Sequence, residues 1–189
     1  KHNTARVQPV LKDILALHAQ YSNIFMADHS GLVWATAVPV KPPFIIFDRR
    51  YFRNALASGQ LSSGEFIVSR ATGRPSFNLA YPQKNERGAT SGTICVGFIP
   101  DSFMPVLERS KLPPSASYML LDHNGVVMSS AIDPAQYVGK QLDPGIFKRM
   151  REGADADTLA GIDIDGVERI ITYRKLRLPG EESPYMYIR

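Results

Sequence analysis

The sequence has a single cysteine and no long apolar run, and both shortages exclude classes of protein. Because Cys95 has no second cysteine to pair with, an internal disulfide and a cysteine-based metal cluster are excluded. Its position in the apolar run 93–99 is typical of a small core residue. No run approaches the roughly 20 apolar residues that cross a bilayer, and the first residues lack a signal-peptide pattern. We expect a soluble chain, and a fragment cut from between two membrane spans would look the same.

Motifs of the common enzyme classes are also missing. The sequence contains no His-Glu-x-x-His zinc site, no Gly-x-Ser-x-Gly elbow, no Walker-type phosphate loop and no Gly-x-Gly-x-x-Gly fingerprint. His29 and His123 occupy the same place in two predicted turns, where a solvated turn residue is a simpler interpretation than a metal ligand. We therefore predict that the chain is not an enzyme and uses no cofactor and no metal. A hydrolase built from dispersed serine, histidine and aspartate is an alternative.

Positive charge is in small excess and is mixed along the chain. The 22 lysines and arginines against 18 aspartates and glutamates give a formal net charge of +4. A nucleic-acid-binding protein would cluster its basic residues beside exposed aromatics, so we expect no nucleic-acid partner. With 44% apolar and 21% charged residues, the composition is typical of a globular protein with a packed core. The only local excess of arginine comprises Arg49, Arg50, Arg53, Arg70 and Arg74.

The sequence contains an internal repeat at an offset of 94 positions. Residues 24–35 match residues 118–129, each an apolar strand, an Asp-His-(Ser or Asn)-Gly turn and a second strand. Asp side chains bond their own backbone two residues on, and glycine takes the positive φ that closes a hairpin. Short helical patterns that end at glycine follow both hairpins, at residues 51–59 and 147–153. Two copies of one structural unit are predicted.

Further strands complete each copy in the same order. Tyr81 and Tyr173 end matching strands 92 positions apart, and a final strand follows each of them. We expect each copy to be an antiparallel sheet flanked by helices, which is an α+β fold. Apolar residues at helical spacing over 4–19 predict an amphipathic N-terminal helix, with Pro9 in its first turn.

The boundary between the copies is predicted at a proline pair. Residues 101–112 have a helical pattern that Pro113 and Pro114 stop. We therefore predict one module over residues 1–112, including the N-terminal helix, and a second over 113–189.

One stretch has an unusual mixture of residues. Over residues 44–53 an apolar run ends in Asp48, three arginines and two aromatics at a predicted helix start. The arginine fork and the first helix amides both favour a small anion, and the turn 69–74 supplies more donors near the same sheet end. The alternative is that these arginines pair with Asp48 and Glu65 or hold loop carbonyls.

With these motifs, the chain resembles the double Cache sensor domains, which lie outside the membrane in histidine kinases, chemoreceptors and cyclic-di-GMP enzymes. The residues that carry the resemblance are 48–53, 68–75 and 120–127. The resemblance implies two tandem PAS-like modules, a membrane-distal one that binds a ligand and a membrane-proximal one that is usually empty. It also implies an extracytoplasmic, membrane-anchored receptor, a homodimer, and an output domain such as a histidine kinase or a diguanylate cyclase in the full-length protein.

Members of this family that bind amino acids use an arginine, with aromatics two and three positions later, to hold the carboxylate. Arg49, Tyr51 and Phe52 match that pattern, but Asn54 replaces one expected aspartate and Phe44 an upstream tyrosine. An ammonium without a counter-charge is costly to bury, so we predict a carboxylate or other small anion. A partner-protein sensor with no small ligand is the alternative. The predicted ligand-binding residues are Arg49, Tyr51, Phe52, Ser69, Arg70 and Phe44.

Overall fold

The computed structural model describes residues 3–105, 112–113 and 115–189. The chain divides into two compact units, residues 1–102 and 103–189, called here the N-terminal and the C-terminal unit. The predicted helix over 101–112 begins with the 3-10 turn Pro100–Phe103, and most of it lies outside the described residues. The predicted boundary between residues 112 and 113 therefore stays a prediction.

The N-terminal unit is a five-stranded antiparallel sheet with two helices. Its strands lie in the order β2-β1-β5-β4-β3. The elements are α1 (Thr4–Leu17), β1 (Tyr21–Asp28), β2 (Val33–Thr36), α2 (Arg50–Ser58), β3 (Ser62–Val68), β4 (Pro75–Lys84) and β5 (Thr90–Phe98).

The C-terminal unit repeats this topology, with its strands in the order β7-β6-β10-β9-β8. The duplication and the α+β fold of two sheet modules with an N-terminal helix are thereby confirmed. The elements are β6 (Met119–Asp122), β7 (Val127–Ser130), α3 (Pro134–Tyr137), α4 (Pro144–Glu152), β8 (Ala156–Ile162), β9 (Glu168–Leu176) and β10 (Met186–Ile188).

The two repeated hairpins close through the same turn chemistry. Asp28 Oδ1 accepts hydrogen bonds from the backbone N–H groups of residues 30 and 32, and Asp122 Oδ1 accepts them from residues 124 and 126. Gly31 and Gly125 have φ values of +83° and +82°. Both hairpins also have a register shift at the same point, 94 positions apart. The turn residues therefore fix where each strand pair begins.

Side chains alternate between two hydrophobic clusters on opposite faces of the N-terminal sheet. Ile24 packs with Leu11 of α1, whereas its neighbour Phe25 packs with Phe52 and Ala55 of α2. Successive residues of a strand point to opposite faces, so the sheet is covered on both sides. The α2 face is the one that carries the candidate site.

Two expectations from the sequence are wrong in detail. Asn3 caps α1 by accepting from the Arg6 N–H, so Pro9 lies inside the helix and not in its first turn. Tyr81 and Tyr173 do not occupy equivalent positions. Ile94 pairs with Tyr81, whereas Ile188, which is equivalent to Ile94, pairs with Arg174. Tyr173 is thus one position out of step: Tyr81 is 54% exposed and Tyr173 only 2%. A shift of one residue moves a side chain to the other face of a sheet.

Candidate functional site

The N-terminal unit contains a narrow cavity between the α2 face of the sheet and the start of α2. Its interior volume is about 20 Å³, which is room for about one water molecule. Strands β1, β3, β4 and β5, the segment before α2 and the β3–β4 turn all contribute to its wall. The lining residues are Ser22, Asn23, Phe25, Phe44, Ile46, Arg49, Tyr51, Ile67, Ser69, Arg70, Ala71, Ser76, Asn78 and Gly97.

Arg49 is the N-cap residue of α2, and it lines the cavity. Its backbone is extended (φ −79°, ψ 133°), and its side chain makes no capping hydrogen bond. Arg49 is half-buried, and its side chain has no hydrogen bond and no ion pair within the described part of the chain. A capping side chain normally satisfies the first amides of a helix. The cavity thus has a cation and a helix start that both favour an anion.

The two aromatics that follow Arg49 lie in different surroundings. Tyr51 and Phe52 are each 2% exposed, but only Tyr51 lines the cavity, and Phe52 belongs to the core beneath α2. Burial raises the pKa of Tyr51, and a hydrogen bond from the Asn78 side chain works against that rise. Tyr51 is therefore a neutral phenol at physiological pH. Phe44 and Ser69, also predicted from the sequence, line the cavity as well.

Arg70 lines the cavity but is already paired. Its guanidinium donates to Asp48 Oδ2 at 2.6 Å and to Asp48 Oδ1 at 3.2 Å, and also to the Ile45 carbonyl at 3.3 Å. The hydrogen bond with Arg70 lowers the pKa of Asp48, which is therefore ionised at neutral pH. The pair joins the β3–β4 turn to the segment before α2, and both segments border the cavity. We call the Asp48–Arg70 pair the latch.

The other arginines of the cluster do not reach the cavity. Arg50 donates to the backbone carbonyls of Ser63 at 3.0 Å and Gly64 at 3.2 Å, so it holds α2 against β3. Arg53 and Arg74 are exposed. The alternative, that these arginines pair with acidic groups or hold backbone carbonyls, is therefore correct for Arg50 and Arg70. It does not describe Arg49.

Sequence reasoning missed the polar floor of the cavity. Ser22 Oγ lies 3.0 Å from Ser76 Oγ, and Ser76 donates to Asn78 Oδ1 at 2.8 Å. A Cβ at Gly97 would lie 2.9 Å from Asn78 Oδ1, 3.0 Å from Ser76 Oγ and closer still to Ser22 Oγ. The signal in the sequence was Gly97 itself, because glycine inside an apolar strand often marks a close approach.

The charged residues that line the cavity are arginines, and one of them, Arg70, is paired with Asp48. The cavity lining, as far as the structure describes it, includes Arg49 and Arg70 and no acidic side chain. Cys95 lies in the core on the same sheet face, and burial raises the pKa of its thiol to about 12, so it carries no charge. No group of three or more His, Cys, Asp or Glu side chains among the described residues is placed to hold a metal ion.

The C-terminal unit has different residues at the equivalent positions. By strand register, Ser76 and Asn78 correspond to Arg169 and Ile171, and Ile171 is part of a packed core. The N-cap of α4 is Asp143, whose carboxylate accepts from the N–H groups of residues 145 and 146, both at 2.9 Å. This unit therefore supplies its own carboxylate where the N-terminal unit has Arg49.

A buried ion cluster takes the place of a cavity floor in the C-terminal unit. Arg189 donates to Asp163 Oδ1 at 2.6 Å, and both side chains are at most 5% exposed. Arg169 bonds Asp163 at 3.5 Å and Asp165 at 2.8 Å. The hydrogen bond with Arg169 lowers the pKa of Asp165 to about 2. The cluster joins β10 to the β8–β9 turn.

Comparison with known proteins places the fold. No family model matches the sequence, and no curated protein matches it. Among solved structures, the extracellular domain of the histidine kinase rpHK1S-Z16 matches with a TM-score of 0.78 and 20% identity, over 99% of this chain and 76% of that one. The ligand-binding domain of the Pseudomonas fluorescens chemoreceptor CtaA, in complex with L-serine, matches with a TM-score of 0.66 and 20% identity, over 97% and 77%.

A third solved structure is the ligand-binding domain of the Pseudomonas aeruginosa amino acid chemoreceptor PctC, in complex with GABA. It matches with a TM-score of 0.67 and 16% identity, over 100% of this chain and 80% of that one. Within the described residues, no helix is long and apolar enough to cross a membrane. The resemblance seen in the sequence is thus confirmed at the level of the fold: the chain has the double Cache fold of the sensor domains of histidine kinases and chemoreceptors.

Proposed function

We propose that the chain is the extracytoplasmic sensor region of a membrane-anchored receptor, and that its N-terminal unit binds a small carboxylate. The observation that carries the proposal is Arg49, a half-buried arginine at a cavity with no hydrogen bond or ion pair among the described residues. A cation held in such a place is favoured once an anion joins it. In the full-length protein, the bound state would be passed to an output domain such as a histidine kinase.

The start of α2 adds to the attraction of Arg49. Four amides at a helix start have no partner within the helix, and a carboxylate satisfies them best. The C-terminal unit shows the same arrangement completed from within, since the Asp143 carboxylate holds two such amides. At α2, a ligand carboxylate would accept hydrogen bonds from the first helix amides. Arg49 would be its bidentate partner, and Tyr51 would form a wall of the site.

The same cavity is unsuited to an α-amino acid. CtaA and PctC bind amino acids and GABA, which all carry an ammonium group. Here the described lining has no acidic side chain to pair with an ammonium, and Arg49, which has no ion pair among the described residues, would repel it. Burying an unpaired ammonium costs several kcal/mol in a protein interior, on the order of what a small ligand gains in all. A carboxylate without an amine is therefore the ligand class that fits.

Binding requires the cavity to widen. The present volume of about 20 Å³ is far below the ~300 Å³ or more of a typical ligand site. The latch holds the two bordering segments together, so it is the contact that must yield or shift first. The ligand binds the wide form of the cavity more tightly than the narrow form, and this difference in affinity shifts the equilibrium toward the wide form. The shift in population is the proposed signal.

The remaining parts of the proposal rest on the fold. The solved structures named above are sensor or ligand-binding domains, in agreement with a chain that is not an enzyme. A homodimer and a ligand-free C-terminal unit belong to the same proposal. A receptor that senses a partner protein, with no ligand in either unit, remains the alternative.

A ligand screen tests the proposed function. The purified chain would be heated with small carboxylates and, separately, with the common α-amino acids, while its melting temperature is followed. We expect several carboxylates to raise the melting temperature and the amino acids to leave it unchanged. Stabilisation by amino acids alone would overturn the carboxylate proposal, and stabilisation by neither class would favour the partner-protein alternative.

A further inference from the structure

The polar floor of the cavity has a fixed hydrogen-bond direction. Ser76 has one hydroxyl hydrogen, which it donates to Asn78 Oδ1 at 2.8 Å. Ser76 cannot also donate to Ser22, so in their 3.0 Å contact Ser22 is the donor and Ser76 the acceptor. The only hydroxyl hydrogen of Ser22 is therefore used in the bond to Ser76. What Ser22 still offers to a neighbour is an acceptor lone pair.

Tyr51 lines the same cavity as this floor and lies two residues after Arg49. The floor therefore offers an acceptor at Ser22, in the cavity that Arg49 and Tyr51 also line.

Burial makes this direction costly to reverse. Ser76 is 1% exposed and Asn78 is 6% exposed, so bulk water does not replace a broken bond. Gly97 keeps the space over Ser22, Ser76 and Asn78 open, because a Cβ there would collide with all three polar atoms. A ligand atom that accepts a hydrogen bond from Ser22 would break the Ser22–Ser76 bond, because Ser22 has only one hydroxyl hydrogen. A ligand group that donates to Ser22 would leave the Ser22–Ser76 bond intact.

We propose that the ligand is a hydroxycarboxylate, whose carboxylate lies at Arg49 and Tyr51 and whose hydroxyl donates to Ser22. This inference rests on the proposed function and narrows its ligand class. A neutral hydroxyl supplies the hydrogen that Ser22 accepts without the positive charge of an ammonium. A keto acid presents an acceptor at the same place, and an unsubstituted acid presents nothing.

Titration calorimetry with three acids of one carbon skeleton tests the inference: lactate, propionate and pyruvate. We expect lactate to bind at least about tenfold more tightly than the other two, since sites built to bond a hydroxyl reject analogues that lack it. Ser22→Ala should bring lactate to within about threefold of propionate and leave propionate unchanged. Ser91→Ala, which removes a serine bonded to the Gln83 carbonyl outside the cavity, should keep the full preference.

The outcomes separate this inference from the proposed function. Equal binding of the three acids, or a preference that survives Ser22→Ala, overturns the hydroxycarboxylate and leaves the carboxylate site standing. Failure of all three acids to bind overturns this inference, and it overturns the carboxylate site as well if the wider screen finds no carboxylate. If Ser22→Ala does not fold, the wild-type ratio of lactate to propionate and pyruvate decides alone.

Discussion

The two units share one topology but differ in the side chains that lie between the sheet and the helix. In the N-terminal unit, Ser76 and Asn78 form the polar floor of a cavity; at the equivalent positions the C-terminal unit has Arg169 and Ile171. The strand order, the hairpin turns and the register shift are the same in both. Backbone topology is therefore insufficient for a site, and a few side chains decide whether the space is open or packed.

The helix starts show the same contrast in charge. Arg49 stands at the N-cap of α2 and makes no capping bond, whereas Asp143 stands at the N-cap of α4 and accepts two backbone hydrogen bonds. The start of α4 is thus capped by a carboxylate of the chain itself, whereas the start of α2 has no capping side chain. This difference supports the proposal that the N-terminal unit is the one that binds an anion.

The largest expected effect is on the stability of the C-terminal unit. Asp163→Ala leaves the buried Arg189 without its carboxylate, and breaking a buried pair in this way costs about 3 kcal/mol or more. Chemical denaturation of the purified chain would measure the loss. Asp155→Ala is the matched control, since it breaks the exposed pair with Arg177 and should leave the free energy of unfolding nearly unchanged. Equal costs for the two variants would show that the cluster is not what stabilises this unit.

The next effect concerns ligand affinity in the N-terminal unit. Arg49→Ala removes the charged hydrogen bonds to the carboxylate and should weaken binding by about 10- to 100-fold, since such bonds contribute about 1.5–3 kcal/mol. Calorimetry with the carboxylate that gave the largest stabilisation in the screen would measure it. Arg53→Ala, at an exposed position of the same helix, should bind as the wild type does. Unchanged affinity in Arg49→Ala would remove Arg49 from the site.

A third substitution makes one unit resemble the other. Asn78→Ile places in the N-terminal floor the residue found at the equivalent position of the C-terminal unit. The larger apolar side chain fills the cavity and ends the hydrogen-bond chain, so we expect affinity to fall at least about tenfold while circular dichroism shows an intact fold. Undiminished binding by the folded variant would mean that the ligand lies elsewhere.

The smallest effect is expected from the latch. Asp48→Asn weakens an exposed ion pair, and such pairs contribute about 0.2–1 kcal/mol. Because the latch opposes widening of the cavity, the association rate should rise by up to about fivefold in stopped-flow measurements. Asp101→Asn, an exposed change in the same unit, should leave the rate unchanged. Slower association in Asp48→Asn would show that the pair helps to form the site.

Much of the fold could be predicted from local chemistry. The Asp-x-x-Gly turns set the hairpins, and the repeat at 94 positions implied a shared topology. Arg49 could be singled out because an arginine at a helix start after an apolar run is unusual. The position of Phe52 in the core could not be predicted, since neighbouring residues of a helix point about 100° apart and the sequence does not say which one faces the cavity.

The polar floor was beyond prediction for a different reason. Ser22, Ser76, Asn78 and Gly97 come from three strands, and strand register alone brings them together. Each looks ordinary in its own segment. The error over Tyr81 arose in the same way, because a fixed offset between repeats does not survive a change in loop length by one residue.

The central claim is that the cavity accepts an anion and refuses an ammonium group. Lactate and L-alanine test it most directly, because they share a carbon skeleton and a carboxylate and differ only in a hydroxyl or an ammonium group. Calorimetric titration of the wild-type chain with both should give measurable heat and saturation for lactate, and none for L-alanine under the same conditions. Tighter binding of L-alanine than of lactate would contradict the account.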